Sequence, residues 1–213
     1  MRQILLIVVV GLLGACGLFV LTIKLMADKA PPGINLQNGD IIFQASRSGQ
    51  SKAIQLATQS RYSHMGILYK KDGEYYVYEA VQPVKLTPLN EWIKRGEKSH
   101  YVVKRLKNAE VLTHDAILKM KAAGEKFSGK DYDLYFEWTD DRIYCSELVW
   151  KIYDEALNIQ LGELQELGEF DLSSATVKDK LAERYGNHIP LHEKVISPAR
   201  IFNSDKLVTV YGE

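Results

Sequence analysis

One cysteine of the chain has the setting of a reactive thiol. Cys145 stands at the start of an apolar-periodic segment, residues 143–157, that predicts a helix, and it directly follows the turn-forming residues 140–142. N–H groups at a helix N-terminus carry partial positive charge, which favours the nucleophilic thiolate form of a cysteine. The same groups can hold a developing oxyanion. The alternative is a buried structural cysteine, because free cysteines pack readily in cores.

Two further residues could support acid–base chemistry around a thiol. His64 begins a strand predicted over residues 64–69, and Glu79 lies on a strand predicted over residues 75–81. Asp72-Gly73 between the strands favours a tight hairpin turn, so we expect Glu79 near the level of His64. A carboxylate beside an imidazole fixes its tautomer and stabilises its cation. A structural histidine and a glutamate on an exposed strand face are the alternatives.

The cysteine count supports a free thiol. The chain has two cysteines, and Cys16 lies within an apolar run that is far from Cys145 in sequence. We expect no disulfide between them, because one would sit in lipid or be removed. Exported proteins usually pair their thiols, so an unpaired one indicates a reactive group.

The N-terminus predicts export or membrane attachment. Residues 4–23 form a run of 20 residues without a charge, long enough to cross the hydrocarbon core of a bilayer. An uncleaved anchor over residues 1–26 is favoured over a cleaved signal peptide or a lipoprotein acylated on Cys16. Residues 27–34 form a linker that contains Pro31-Pro32-Gly33. Each alternative places the domain over residues 35–213 at the cell envelope of a bacterium.

Metal, cofactor and nucleic-acid binding are not predicted. His188 and His192 are four residues apart, but Pro190 between them argues against a regular helix, and no third ligand stands out. The chain has no glycine-rich phosphate loop and no dinucleotide-binding fingerprint. Its formal net charge of zero does not suggest a nucleic-acid binder.

Charge is unevenly distributed along the chain. Residues 47–107 hold 12 Lys and Arg against 5 Asp and Glu, whereas residues 137–183 hold 4 against 12. Two solvated faces of opposite sign would explain this pattern, and a polar substrate groove is the alternative. Residues 159–195 resist assignment. Four acids lie in their first part, so a lid formed by them would select cationic groups: Glu163, Glu166, Glu169 and Asp171.

The elements that must position these residues alternate irregularly between strands and helices. The order includes an antiparallel hairpin and separate helices, which favours the α+β class. Strands are predicted over residues 41–43, 64–69, 75–81, 101–106 and 207–211. Helices are predicted over residues 51–58, 88–94, 113–127, 143–157 and 197–202.

Four segments resemble the permuted papain-like amidases of the NlpC superfamily, with the YiiX-like branch as the best match. They are Asn38-Gly39-Asp40-Ile41-Ile42-Phe43, Tyr62-Ser63-His64-Met65-Gly66, Tyr78-Glu79-Ala80-Val81 and Tyr144-Cys145-Ser146-Glu147-Leu148-Val149. The resemblance covers residues 35–202. It implies a circularly permuted papain-like fold in which the histidine strand precedes the cysteine helix, with an antiparallel sheet packed against helices.

The same resemblance implies a Cys-His-Glu triad that maps onto Cys145, His64 and Glu79, with Tyr144 lining the substrate pocket. It implies hydrolysis of an amide bond in a cell-wall peptide or a related small peptide, without a cofactor. Two other functions stay open: a lipid acyl hydrolase or acyltransferase on the same site, and a non-catalytic module that binds a peptide or amino acid.

Overall fold

The computed structural model describes residues 35–212. The predicted membrane or signal segment over residues 1–26, the lipidation candidate Cys16 and the linker over residues 27–34 lie outside the described residues. Among the residues described, no helix is both long and apolar enough to cross a membrane.

A six-stranded antiparallel sheet forms the centre of the fold. Its strands are β1 (Ile41–Gln44), β2 (His64–Lys71), β3 (Glu74–Glu79), β4 (Lys85–Pro88), β5 (Val102–Leu106) and β8 (Leu207–Tyr211), in the spatial order β4-β3-β2-β1-β5-β8. Every neighbouring pair is antiparallel. The central strands are buried because helices cover both faces of the sheet.

Two long helices cover one face of the sheet. They are α3 (His114–Glu125) and α4 (Cys145–Leu157), and their apolar side chains form the main core with the inward side chains of β1, β2 and β5. Thr113 caps α3 by accepting a hydrogen bond from the Ala116 N–H at 3.2 Å. A shorter helix, α2 (Leu89–Arg95), packs Trp92 against the opposite face. The predicted α+β class and antiparallel sheet are therefore confirmed.

The stretch over residues 159–195, which the sequence left unassigned, folds over the start of α4. It contains α5 (Ala175–Tyr185) and a small second sheet of β6 (Gln165–Glu166) and β7 (Lys194–Val195). Helix α5 packs against α1 (Ser51–Thr58) through a separate apolar cluster. The short helix α6 (Pro198–Phe202) follows β7 and returns the chain to β8.

The β2–β3 hairpin brings the predicted histidine and glutamate together. Asp72 and Gly73 have positive φ angles of 51° and 86°, which a two-residue hairpin turn with the right-handed twist of its strands requires. The turn fixes a register in which Ile67 pairs with Tyr78. One step further along, Glu79 lies beside Gly66, on the face that also carries His64.

Gly66 permits the close approach of β2 and β3 at this point. A Cβ atom at position 66 would lie 2.5 Å from Val77 Cγ1 and 2.7 Å from the Tyr78 carbonyl oxygen. A Gly66→Ala variant must therefore push β3, and Glu79 with it, away from β2. We expect the free energy of unfolding to fall by about 1–3 kcal/mol, measured by urea denaturation.

The matched control for this substitution is Gly49→Ala, which adds the same methyl group where no heavy atom lies within 4 Å. We expect the control to leave the free energy of unfolding within about 0.5 kcal/mol of the wild-type value. Equal stability of Gly66→Ala and the wild type would contradict the close approach of the two strands.

Candidate active site

Cys145 is the first residue of α4 and is buried, with 2% of its surface exposed. The Glu147 side chain accepts a hydrogen bond from the Tyr144 N–H at 3.4 Å, which helps to cap the helix. The Ser146 hydroxyl donates to the Ile196 carbonyl oxygen at 2.8 Å. These contacts fix the start of α4, and with it the position of the thiol.

His64 lies between Cys145 and Glu79. Its Nε2 atom is 2.6 Å from Glu79 Oε2, and its ring is also in hydrogen-bond contact with the Cys145 thiol group. Because Nε2 faces the carboxylate, Nδ1 is the nitrogen that serves the thiol. The Trp92 ring lies beside the imidazole, with ring centroids 5.9 Å apart and an angle of 26° between the ring planes.

The charge on His64 follows from these contacts. Burial lowers the pKa of His64, but the hydrogen bonds to Cys145 and Glu79 outweigh burial and raise the pKa to about 9. The imidazole is therefore protonated at neutral pH, between the thiol group and the carboxylate. An imidazolium in this position favours a neighbouring thiolate.

Glu79 is fully buried and has a partner for each oxygen. Oε2 faces His64, and Oε1 accepts hydrogen bonds from the Thr87 hydroxyl at 2.5 Å and from the Arg95 guanidinium. Burial alone would raise the pKa of Glu79, but the bond to His64, the Arg95 charge and the Thr87 bond lower it. The carboxylate is therefore ionised and held in one orientation, which in turn orients the imidazole.

Three residues near the thiol were not found by sequence reasoning: Tyr132, Gln50 and Arg184. The Tyr132 hydroxyl is in hydrogen-bond contact with Cys145 and accepts a hydrogen bond from Gln50 Nε2 at 2.9 Å. Arg184 holds the same glutamine by donating to its Oε1 at 2.5 Å. Burial raises the pKa of Tyr132 well above its usual value, so the hydroxyl keeps its proton and can donate it in a hydrogen bond.

A Tyr132→Phe variant removes this donor without changing the shape of the ring. An oxyanion-binding role in amide hydrolysis predicts that kcat falls by about 10²-fold while KM stays within about twofold, because such a hydrogen bond is made mainly in the transition state. Tyr76→Phe, in the hairpin away from the thiol, is the matched control. An unchanged kcat in Tyr132→Phe would show that this hydroxyl does not stabilise the transition state.

Two depressions meet at the thiol–imidazole pair. The first, here the apolar cavity, has a volume of about 100 Å³ and includes Cys145 in its wall. The second, here the basic groove, has a volume of about 970 Å³ and includes His64. Four residues line both depressions: Gln50, Tyr132, Lys180 and Arg184.

Tyr144, which was expected to line the pocket, is 2% exposed and forms part of the wall of the apolar cavity. Its hydroxyl accepts a hydrogen bond from the Ile196 N–H at 3.1 Å. The hydroxyl therefore ties the cavity wall to the segment after β7, and the aromatic ring contributes an apolar surface.

The four acids in the first part of residues 159–195, which are Glu163, Glu166, Glu169 and Asp171, do not face the site. Glu163 pairs with Arg200 at 3.2 Å, and Glu166 pairs with Lys194 and His192, each at 2.9 Å. The expectation of a lid that selects cations is wrong, because none of the four acids lines the apolar cavity or the basic groove. This stretch instead contributes apolar side chains to the cavity wall and two cations to the rim.

The histidine pair that we considered for a metal does not converge. His192 is exposed and contacts Glu166 at 2.9 Å, while His188 lies beyond α5. Within residues 35–212, no group of three or more His, Cys, Asp or Glu side chains is arranged to hold a metal ion.

Comparison with known proteins identifies the class that this fold and site define. Residues 35–211 match the family model of the permuted papain-like amidase enzymes of the YaeF/YiiX, C92 family. The chain belongs to this family.

Two relatives from Escherichia coli are similar to the chain. The first is a protein of strain K12 named uncharacterized protein YiiX, which is 53% identical over 177 residues that cover 83% of this chain and 87% of the relative. The second is a crystal structure of YiiX from strain O157:H7, described as a metalloprotein. It matches with a TM-score of 0.80 and 53% identity over 83% of this chain and 97% of that one.

Proposed function

We propose that the protein is a cysteine-dependent amidase or peptidase in which Cys145 is the nucleophile, His64 the acid–base group and Glu79 the residue that orients the imidazole. The observation that carries the proposal is the continuous contact from the thiol through His64 to Glu79, with the last step 2.6 Å long. A nucleophile in contact with a base that a third group orients is the arrangement that covalent hydrolases use.

The reaction has two steps. The Cys145 thiolate attacks the carbonyl carbon of an amide, and collapse of the tetrahedral intermediate breaks the C–N bond while Nδ1 of His64 gives its proton to the leaving amine. A water molecule then loses a proton to His64 and attacks the thioester, which releases the acid and restores the starting pair of Cys145 thiolate and His64 imidazolium. Glu79 stabilises the imidazolium whenever it forms.

Two donors are positioned for the oxyanion of the tetrahedral intermediate. The first is the Cys145 backbone N–H, which has no helical partner because it lies at the first position of α4. The second is the Tyr132 hydroxyl. It accepts a hydrogen bond from Gln50, which in turn accepts one from Arg184. Donors that are fixed before the reaction stabilise the developing charge without reorganisation.

A resident metal does not fit this site, although one relative is described as a metalloprotein. Both oxygens of Glu79 are engaged by His64, Thr87 and Arg95, so that of the proposed triad only the thiol group and one imidazole nitrogen remain available to a metal. Two donors are fewer than the three protein ligands that catalytic zinc sites use.

The proposed substrates are peptides of the bacterial cell wall or related small peptides, and the proposed location is the cell envelope. The uncharged run over residues 4–23 supports the location. The apolar cavity favours an acyl substrate as a second candidate. At about 100 Å³ the cavity resembles in size an engineered cavity of roughly 150 Å³ that holds benzene, which favours a short apolar group over a long lipid chain.

The test of the proposal is to incubate the full-length protein with muropeptides, defined peptide amides and phospholipid vesicles in parallel. We expect release of amines from the peptide substrates and an acyl adduct on Cys145, detected by intact-mass spectrometry. Release of fatty acid without cleavage of any amide would favour the lipid acyl hydrolase. Peptide binding without an adduct or a product would favour the binding module.

A further inference from the structure

The two depressions include different members of the thiol–imidazole pair. Cys145 lines the apolar cavity but not the basic groove, whereas His64 lines the groove but not the cavity. Because His64 must protonate the leaving amine, that amine has to lie on the imidazole side of the thiol. The acyl part of the substrate, which stays on sulfur, then extends into the apolar cavity.

The groove on the amine side is positively charged. Its wall contains five Lys and Arg side chains and one acid, Glu183. The cations come from three separate parts of the chain: Arg47, Lys94, Arg95, Lys180 and Arg184.

These charges are only partly neutralised by the protein. Lys180 pairs with Glu183, and Arg95 pairs with Glu79 at the base of the groove. Among the described residues, Arg47 and Lys94 have no ion-pair partner, and both are exposed. A groove lined by one sign of charge concentrates ligands of the opposite sign.

The cavity on the acyl side has a largely apolar wall. Among residues 35–212, no acidic residue lies in its wall, and the two cations of the wall, Lys180 and Arg184, are also part of the groove. The remaining wall is largely apolar and includes Ala53, Ala57, Leu167, Phe170, Val177 and Leu181. Such a wall stabilises an apolar group that leaves water.

We infer that the substrate is an amide whose acyl part ends in a short apolar group and whose amine part carries an anion, either a carboxylate or a phosphate. The inference rests on the proposed function, since it assigns the two sides of the bond by the roles of Cys145 and His64. It excludes amines that carry a net positive charge as preferred leaving groups.

The first test needs no substrate. Alkylation of Cys145 by anionic iodoacetate and by neutral iodoacetamide is compared in the full-length protein with Cys16→Ser, which leaves Cys145 as the only thiol. The ratio compared is the rate with iodoacetate divided by the rate with iodoacetamide. In Arg47→Glu/Lys94→Glu we expect this ratio to fall about fivefold at ~10 mM ionic strength and to return towards the wild-type ratio at ~1 M salt. Lys107→Glu/Lys119→Glu carries the same change of net charge away from the groove and should keep the wild-type ratio.

The second test uses amides with one acyl group, 4-methylpentanoyl, on three amines: glycine, phosphoethanolamine and glycinamide. We expect the two anionic amines to be released at least tenfold faster than glycinamide, and the faster of the two identifies the source of the anion. Ala57→Phe fills the apolar cavity, and it should slow release from 4-methylpentanoyl-glycine about tenfold while sparing acetyl-glycine.

The outcomes separate the inference from the proposed function. Slow alkylation by both reagents, with no amide cleaved, would contradict the proposed function itself. Fast alkylation by iodoacetamide would leave the proposed function standing. With that result, any one of three outcomes would overturn the inference. They are an unchanged rate ratio in Arg47→Glu/Lys94→Glu, equal release of neutral and anionic amines, and no release of either anionic amine.

Discussion

A Cys145→Ala variant is expected to lose amide turnover by at least about 10⁴-fold while keeping its fold. The substitution removes the only sulfur nucleophile among residues 35–212. It deletes a single heavy atom at the start of α4, whose packing depends on larger neighbours such as Leu148 and Ile152. We therefore expect the free energy of unfolding to change by only about 1 kcal/mol, measured by urea denaturation beside the activity assay.

If Cys145 had only a structural role, the Cys145→Ala variant would keep its turnover. The hydrogen bond with Cys145 helps to raise the pKa of His64 to about 9, so we expect this pKa to fall in Cys145→Ala, as followed by NMR of the imidazole. Cys145→Ser keeps a hydroxyl at the same place and should also be inactive or nearly so. Full turnover in Cys145→Ala would end the model of covalent catalysis.

The second large effect is expected for Glu79→Gln. The amide keeps the size of the carboxylate and can still accept a hydrogen bond from Thr87, but it no longer balances the charge of His64. We expect kcat to fall by about 10²–10³-fold, because the imidazolium loses the charge that stabilises and orients it. The free energy of unfolding should fall by about 1–3 kcal/mol at pH 6.

The contributions of Glu79 and His64 to the free energy of unfolding depend on pH in opposite directions. The pKa of Glu79 is lowered in the fold, so its contribution is present above its usual value of 4.5 and is lost as the pH falls through the lowered value. The pKa of His64 is raised, so its contribution is complete below 6.5 and is lost as the pH rises through about 9. The pair therefore stabilises the fold most between pH 4.5 and 6.5.

Urea denaturation between pH 3 and pH 10 measures this effect, with Glu91→Gln on the exposed side of α2 as the matched control. The stability lost in Glu79→Gln should be largest between pH 4.5 and 6.5 and should shrink towards pH 9. A loss that is the same at every pH would show that Glu79 contributes packing alone.

The local features of the fold were predictable from the sequence because short-range patterns fix them. The Asp72-Gly73 turn sets the hairpin, and the apolar periodicity of residues 145–157 sets the long helix. From the turn it follows that Glu79 reaches the level of His64. The helix pattern likewise places Cys145 at an N-terminus, without any knowledge of tertiary structure.

The short strand β4 was missed, and the helix after it was predicted one residue early. The segment Lys85–Pro88 is only four residues long and ends in proline, which the sequence indicated as the start of a helix. In the structure Pro88 ends the strand, and the helix begins at Leu89. This error concealed Thr87, which lies on β4 and fixes the carboxylate of Glu79.

The proposed oxyanion donor, Tyr132, and the residues that hold it could not be predicted, because they come from three distant segments. These segments are the start of α1, the loop that precedes α4, and helix α5. They bring together Gln50, Tyr132 and Arg184 only after they have packed against one another. The charge of the basic groove has the same origin. Lys180 lies within the acid-rich segment over residues 137–183, and Arg184 directly follows that segment, yet both side chains line the groove beside Arg47 and Lys94. A sum of charges along the chain does not show on which surface each charge lies.

The activation of Cys145 by His64 is tested by the rate of Cys145 alkylation by iodoacetamide as a function of pH. It is measured in the full-length Cys16→Ser protein, in the same protein with His64→Ala, and with His114→Ala as the exposed-histidine control. We expect a rate that stays high below about pH 7.5 in the Cys16→Ser protein, that falls in His64→Ala and that is kept in His114→Ala. A slow reaction in all three proteins that rises only near pH 8.5, as for an ordinary thiol, would contradict it.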